Sequence, residues 1–191
     1  MGLETLNFVL NYKLIGIIFT ILCITFLIQA FNIIDGLNGL SLTTSILAFI
    51  SIGFISFEVN DKNIFHLSIS LIFVLFGVLI FNFPFGKIFL GDSGAYIIGL
   101  YVSVSIIILF EKNSNLLPFV VVQILIYPSY ELLRSFLRRG LSPKKSILQP
   151  DKKHLHSVLY TRNLLKYSFS RLKTNYISSL QIILMQILNL I

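Results

Sequence analysis

The stretch of residues 32–40 carries the side chains best suited to chemistry in this sequence. It contains the carboxylate of Asp35, the amides of Asn32 and Asn38, and two glycines. Apolar runs lie on both sides of it, and polar groups at the end of an apolar run are costly in a membrane, so they indicate a functional site. The same residue types also form turns between helices, and this stretch alone leaves that interpretation open.

A second polar cluster occupies residues 82–94. Asp92 stands between two glycines just before an apolar run, where a carboxylate can cap a helix through its backbone N–H groups. It can equally bind Mg²⁺, a hard cation that prefers oxygen ligands. Lys87 lies five residues earlier and could pair with phosphate, and Asn82 and Phe89 belong to the same stretch.

A third cluster, residues 149–157, places His154 and His156 two residues apart among basic side chains. Such histidines could bind a metal, pair with phosphate or be solvated. The basic surroundings favour an anionic partner, either a nucleotide diphosphate or anionic lipid headgroups. Glu131 and Arg134 precede this cluster and lie three residues apart, so we expect them to form a structural pair on one helix.

The composition excludes an ordinary soluble domain. The 191 residues are 55% hydrophobic and 12% charged, whereas a soluble domain carries roughly 25% charged residues. The mean hydropathy is +0.87. Eleven of the fifteen basic residues lie between positions 134 and 173, which is typical of a cytoplasmic membrane loop and argues against a nucleic-acid partner. The single cysteine, Cys23, excludes an intrachain disulfide.

Apolar runs of about 20 residues predict helices that cross the membrane. We therefore expect an all-α, polytopic transmembrane helix bundle that forms one domain over residues 1–191. It has five spans, a short sixth, and a basic cytoplasmic loop at residues 134–175. The predicted spans are residues 14–31, 40–57, 64–81, 95–110 and 116–133, with a kink at Pro128, and the short sixth is residues 176–191.

The basic loop also sets the orientation, because short loops rich in Lys and Arg stay on the cytoplasmic side. Two predicted spans separate Asp35 from Asp92, and two separate Asp92 from His154. An even number of crossings returns the chain to the same face. The three clusters are thus predicted to meet at the cytoplasmic face of the inner (plasma) membrane.

Taken together and in this order, the three clusters resemble motifs of the polyprenyl-phosphate N-acetylhexosamine-1-phosphate transferases of glycosyltransferase family 4. Residues 32–40 resemble Asn-x-x-Asp-Gly-x-x-Gly-Leu, residues 82–94 resemble a motif in which Asn and Pro precede Phe-x-Gly-Asp-x-Gly, and residues 151–157 resemble Asp-(Arg/Lys)-x-His-x-His-His. The resemblance covers most of the chain and looks like the C-terminal part of such an enzyme.

The resemblance implies roles for individual residues. Asp92 would bind Mg²⁺, or Mn²⁺ in its place, and Asp35 would be the acidic residue of the nucleotide-sugar site. Phe89 would stack on uracil, and the histidines would contact the nucleotide sugar or its diphosphate. The implied catalytic residues are Asp35, Asp92, His154 and His156, and the implied substrate-binding residues are Asn32, Asn38, Asn82, Lys87 and Phe89.

The reaction implied by the resemblance is attack of a polyprenyl-phosphate oxygen on the β-phosphorus of a UDP-N-acetylhexosamine, which releases UMP. Such phosphoryl transfer depends mainly on positioning and charge neutralisation. The implied partners are the UDP-sugar, polyprenyl (undecaprenyl) phosphate and membrane lipids, and the implied pathway is synthesis of a cell-wall or surface-polysaccharide lipid carrier. A homodimer or a complementary N-terminal half would be a further partner.

Three positions depart from the family pattern: Gln29 replaces Asn, Asn38 replaces Asp and Ser157 replaces a third His. The change at Asn38 favours the branch that makes O-antigen, capsule or teichoic-acid-type carriers. The sequence has no adjacent Asp-Asp pair, which family members carry nearer the N-terminus. A catalytically inactive membrane fragment therefore stays an alternative, and a transporter, which needs a polar path at the membrane midplane, is the weaker one.

Overall fold

The structure, a computed structural model, describes residues 12–113, 115–140, 154–167 and 169–190. Every regular element in these residues is a helix. In chain order the eight helices are α1 (Lys13–Ile34), α2 (Leu40–Glu58), α3 (Lys62–Asn82), α4 (Gly91–Lys112), α5 (Phe119–Ile124), α6 (Ile126–Gly140), α7 (Leu155–Tyr167) and α8 (Arg171–Leu190).

The first four helices confirm the predicted class of polytopic helical membrane protein. Helices α1 to α4 have 19 to 22 residues each and are long and apolar enough to cross a membrane. At 1.5 Å per residue, each spans about 30 Å, the thickness of the hydrocarbon core. Helix α2 is the most buried of the four, and it contacts α3, α4 and α8.

The predicted number of spans is not confirmed. The fifth predicted span, residues 116–133, is divided at Leu125 into the six-residue α5 and the 15-residue α6. Pro128 lies in the first turn of α6, where a missing N–H is tolerated. The predicted short sixth, residues 176–191, belongs to α8, which begins five residues earlier at Arg171 and has 20 residues.

Part of the predicted basic loop is also helical. Residues 134–140 complete α6, residues 155–167 form α7, and residues 171–175 begin α8. Asn163 of α7 donates hydrogen bonds to Ser178 Oγ and Gln181 Oε1 of α8, both at 2.9 Å. Because these bonds are largely shielded from water, α7 and α8 form an antiparallel hairpin with a fixed register. Residues 141–153 lie outside the described residues.

Close packing of α1 against α4 decides where the site forms. A Cβ on Gly99 of α4 would lie 2.6 Å from the Cα atom of Ile28, so the two backbones touch at a distance only glycine permits. Phe31 and Ile34, at the end of α1, are fully buried. As the two helices run in opposite directions, the end of α1 lies beside the start of α4.

Loops alternate between the two ends of the bundle as the sequence predicts. At one end, Lys112 of α4 pairs with Asp61 at 2.9 Å. Asp61 also caps α3 by accepting the N–H of Ile64 at 3.2 Å. The turn between α2 and α3 and the end of α4 therefore share one end. The polar clusters lie at the opposite end.

Candidate functional site

Two carboxylates lie within electrostatic reach of each other where α1 ends and α4 begins. Asp35 directly follows α1 and is partly buried, whereas Asp92 lies in the first turn of α4 and is exposed. Burial, followed by the negative charge of Asp92, raises the pKa of Asp35 to about 6. The pair therefore holds more negative charge than this setting favours, and a bound cation would relieve the repulsion.

These two residues fit a magnesium ion better than a transition metal. Among the described residues, no group of three or more His, Cys, Asp or Glu side chains comes together in a way that could hold a metal. Mg²⁺ does not require such a group, because it retains several waters and uses one or two carboxylates together with substrate phosphates. Asp35 and Asp92 supply two carboxylates, one of which is exposed to incoming phosphates.

Asn82 joins the first cluster to the second. Its Oδ1 accepts a hydrogen bond from the N–H of Gly39, and its Nδ2 donates to the carbonyl of Ile88 at 2.7 Å. The side chain is 5% exposed. Both ends of the amide are thus engaged with backbone, so the observed contacts of Asn82 hold two loops together. A contact with a nucleoside stays a prediction.

Asn38 also connects the first two clusters, and it binds α8 as well. Its N–H donates to Asn175 Oδ1 at 2.9 Å, and its Nδ2 donates to the carbonyl of Pro84 at 3.0 Å. The next residue, Gly39, has a φ of +76°, which favours glycine, and a Cβ there would come within 2.7 Å of the Phe83 ring. The loops at 35–39 and 83–90 are therefore held in one arrangement, with the start of α8 against them.

The histidine cluster reaches the same loops. The rings of His154 and His156 are stacked, with centroids 5.4 Å apart and an interplanar angle of 3°. His156 packs on Gly36, so closely that a Cβ on this glycine would overlap with the imidazole Nε2. The first and third clusters, which are about 120 residues apart in sequence, are thus in direct contact.

His156 is held in a setting that keeps it neutral. Burial lowers its pKa from 6.5 to about 4, and the nearby His154 lowers it as well. The ring is 5% exposed, and its Nδ1 has no hydrogen-bond partner among the described residues. A buried ring nitrogen without a partner is costly, so this position is a candidate for contact with a ligand or a water.

The other predicted binding residues lie on the surface around this centre. Phe89 is 72% exposed, Lys87 is exposed, and Asn32 is partly buried at the end of α1. The carbonyl of Asn32 accepts the N–H of Asp35 at 3.3 Å. Lys87 and Phe89 lie in the loop between α3 and α4, on either side of Ile88, whose carbonyl Asn82 binds. The structure therefore leaves an aromatic face and an ammonium group open beside the carboxylates.

The sequence analysis missed two residues that shape the site, Glu131 and Asn175. We expected Glu131 to pair with Arg134, but its carboxylate instead lies 3.0 Å from His154 Nδ1 and accepts the backbone N–H of Leu155. Arg134 lies over the ring of Tyr130, 5.9 Å from its centroid. A carboxylate within the apolar run of residues 116–133 was the available signal, since such groups are costly unless they serve a function.

Four helices are apolar and long enough to cross a membrane, and the polar loops at one of their ends converge. These features define a helical membrane protein with a site at the membrane surface. The comparison with known families makes this specific. Residues 1–110 match the family model described as glycosyl transferase family 4. The chain belongs to this family, as the motif resemblance predicted.

Individual relatives are similar over roughly half to three quarters of this chain. An undecaprenyl-phosphate alpha-N-acetylglucosaminyl 1-phosphate transferase of Thermotoga maritima is 34% identical over 150 residues, which are 78% of this chain and 45% of the relative. A probable undecaprenyl-phosphate N-acetylglucosaminyl 1-phosphate transferase of Bacillus subtilis is 33% identical, over 73% of this chain and 39% of the relative. A phospho-N-acetylmuramoyl-pentapeptide-transferase of Staphylococcus carnosus is 35% identical, over 49% and 30% respectively. The chain thus spans less than half the length of each of these relatives.

Proposed function

We propose that this protein transfers a sugar-1-phosphate of the N-acetylhexosamine type from a UDP-sugar to a polyprenyl phosphate and that UMP is released. The observation that carries the proposal is the meeting of three distant segments at one end of the bundle. Asp35 lies beside Asp92, and His156 lies on Gly36. Membership of glycosyl transferase family 4 and the names of the relatives support the same reaction class.

A divalent cation belongs to this proposal. Asp35 and Asp92 would hold Mg²⁺, or Mn²⁺ in its place, and the ion would neutralise charge on the diphosphate. Burial and the charge of Asp92 raise the pKa of Asp35 and so disfavour its ionised form. A nearby cation would offset this effect and favour ionisation.

The chain's own residues would bind and orient the two substrates. Phe89 offers an exposed aromatic face on which uracil can stack, a contact worth about 1–3 kcal/mol by analogy with other base–aromatic pairs. Lys87 supplies a positive charge for phosphate near the same loop. His154 and His156 would meet the diphosphate from the α7 side. Transfer then requires the acceptor phosphate in line with the leaving UMP, which is a problem of positioning.

The location of the site suits a lipid acceptor. A polyprenyl phosphate keeps its chain in the bilayer and its phosphate at the surface, where helices α1 and α4 place the two carboxylates. The basic residues between positions 134 and 173 support an orientation in the inner membrane in which the site faces the cytoplasm. UDP-sugars are found in the cytoplasm. Cell-wall or surface-polysaccharide synthesis would use the product.

The test is release of UMP from UDP-N-acetylhexosamine by purified membranes supplied with undecaprenyl phosphate and Mg²⁺. Because the relatives are longer, the assay is run on the chain alone and on the chain co-expressed with the N-terminal half of the Thermotoga maritima relative. We expect Asp92→Asn to abolish UMP release and Glu111→Gln, an exposed carboxylate at the opposite end, to leave it unchanged. Equal activity of Asp92→Asn and the wild type would refute the proposed metal role. Absence of UMP release from every preparation would refute the proposed function.

A further inference from the structure

Glu131 of α6 is a buried acidic residue that the proposed reaction does not yet use. None of its surface is exposed. Oε2 lies 3.0 Å from His154 Nδ1, and Oε1 accepts the N–H of Leu155 at 2.9 Å. One carboxylate therefore holds both the ring of His154 and the first residue of α7, and a buried charge is tolerated only with such partners.

This pairing decides which ring nitrogen of His154 carries a proton. An ionised carboxylate accepts hydrogen bonds and cannot donate them, so Nδ1 of His154 must be the donor. The hydrogen bond at one ring nitrogen sets the role of the other, and Nε2 is left for a ligand. When the ring contacts an anionic group, it can carry a second proton on Nε2, and the Glu131 carboxylate stabilises that positive charge.

The orientation of His154 is also transmitted to the loop beside Asp35. Its ring stacks on His156 with an interplanar angle of 3°, and His156 packs on Gly36. A rotation of the His154 ring would break either the stack or the hydrogen bond to Glu131. The contacts of Glu131 thus reach, through two histidine rings, the residue next to a proposed catalytic carboxylate.

We propose that Glu131 is a positioning residue of this site, which holds His154 with Nδ1 protonated and leaves Nε2 for an anionic phosphate group. The phosphate contact rests on the proposed function, whereas the protonation of Nδ1 does not. Two measurements separate these parts.

The first measurement is the tautomer of His154, read from ¹⁵N chemical shifts of the chain labelled with ¹⁵N-histidine in lipid nanodiscs. The sequence has three histidines, so His66→Gln and His156→Gln assign the signals. We expect Nδ1 of His154 to be protonated in the wild type. In Glu131→Gln, the amide can donate to Nδ1 and accept from Leu155, so the proton should move to Nε2. Glu58→Gln removes an exposed carboxylate at the other end and should leave the spectrum unchanged.

The second measurement is the kinetics of UMP release in the preparation that is active. By analogy with carboxylates that orient metal-bound histidines, Glu131→Gln should lower kcat about 10–100-fold, with little change in KM for the UDP-sugar. Glu131→Asp keeps a carboxylate, and we expect Nδ1 to stay protonated in this variant. It also serves as the second variant if Glu131→Gln does not fold.

The outcomes are distinguishable. A wild-type His154 without a proton on Nδ1, or an unchanged spectrum in Glu131→Gln, overturns the inference whatever the activity. The expected spectra with unchanged kcat overturn the role of Glu131 in the reaction. If no preparation releases UMP, the proposed function fails, whereas the spectra still decide whether Glu131 holds His154.

Discussion

His156 packs directly on Gly36, although the two residues belong to segments far apart in the sequence. The glycine belongs to the loop that follows α1, and the histidine belongs to α7. A Cβ at position 36 would overlap the imidazole Nε2. His156 cannot readily yield, because its ring is buried and stacked on His154.

We therefore expect Gly36→Ala to separate α7 from this loop. Overpacking at such a contact costs about 1–3 kcal/mol, and UMP release should fall with it because the histidines are displaced. The unfolding midpoint in detergent micelles measures the change in stability. Gly77→Ala is the matched control, since a Cβ at that position meets no atom within 4 Å. If the two variants are equally stable, the contact between Gly36 and His156 does not constrain the site.

Asn82 provides a second prediction. Asn82→Ala leaves the N–H of Gly39 and the carbonyl of Ile88 without their partner, and a buried unpaired polar group costs about 1–3 kcal/mol. The free energy of unfolding should fall by about 2 kcal/mol or more. Asn63→Ala, an exposed amide at the opposite end, should change it little. A small loss at Asn82 that matches the control would mean that water replaces the amide.

The stability should depend on pH through His156. Its pKa is about 4 in the folded chain and 6.5 ordinarily, so the unfolded chain binds more protons between these values. The contribution of His156 to the free energy of unfolding therefore rises with pH from 4 to 6.5, is fully present above 6.5 and is lost on acidification through that window, whereas the raised pKa of Asp35 makes a contribution of opposite sign between about pH 4 and 6. The full effect is on the order of 3 kcal/mol. Denaturant titrations at several pH values measure the slope in the wild type and in His156→Gln, and the slope should be less positive in the variant. An equally steep slope in that variant would assign the pH dependence to other groups.

The orientation is testable by labelling with a reagent that does not cross membranes. In a Cys23→Ser background, a cysteine at exposed Thr161 of α7 should react only after the cells are lysed, because α7 is expected to face the cytoplasm. A cysteine at exposed Lys62, at the other end of the bundle, should react in intact cells. The reverse pattern would invert the topology.

Much of the fold follows from the sequence because its causes are local. Apolar runs of spanning length predicted α1 to α4, and counting crossings predicted that the three clusters share one end. The break at Leu125 was not predictable in the same way, because the run is apolar on both sides of Leu125, and the two pieces pack against different helices, α5 against α2 and α8 and α6 against α1.

The sequence predicted which residues belong to the candidate site better than it predicted the contacts between them. The carboxylates and histidines were identified by residue type and by the resemblance, whereas the partners of Glu131 were not. A neighbour three residues away on one helix suggested Arg134, but the actual partner, His154, is 23 residues away. Asn82 similarly looked like a ligand-binding amide, and its engagement with two backbone groups depends on loop geometry that the sequence does not state.

The hydrogen bond from Asn38 to Asn175 has a consequence for biosynthesis. The two residues are 137 positions apart. At typical translation speeds, roughly 7–27 s separate their emergence from the ribosome. During that interval the loop that bears Asp35 is already at the membrane surface without its α8 partner. The hydrogen bond between Asn38 and α8 can therefore form only late in synthesis, and until then the loop that bears Asp35 lacks this constraint.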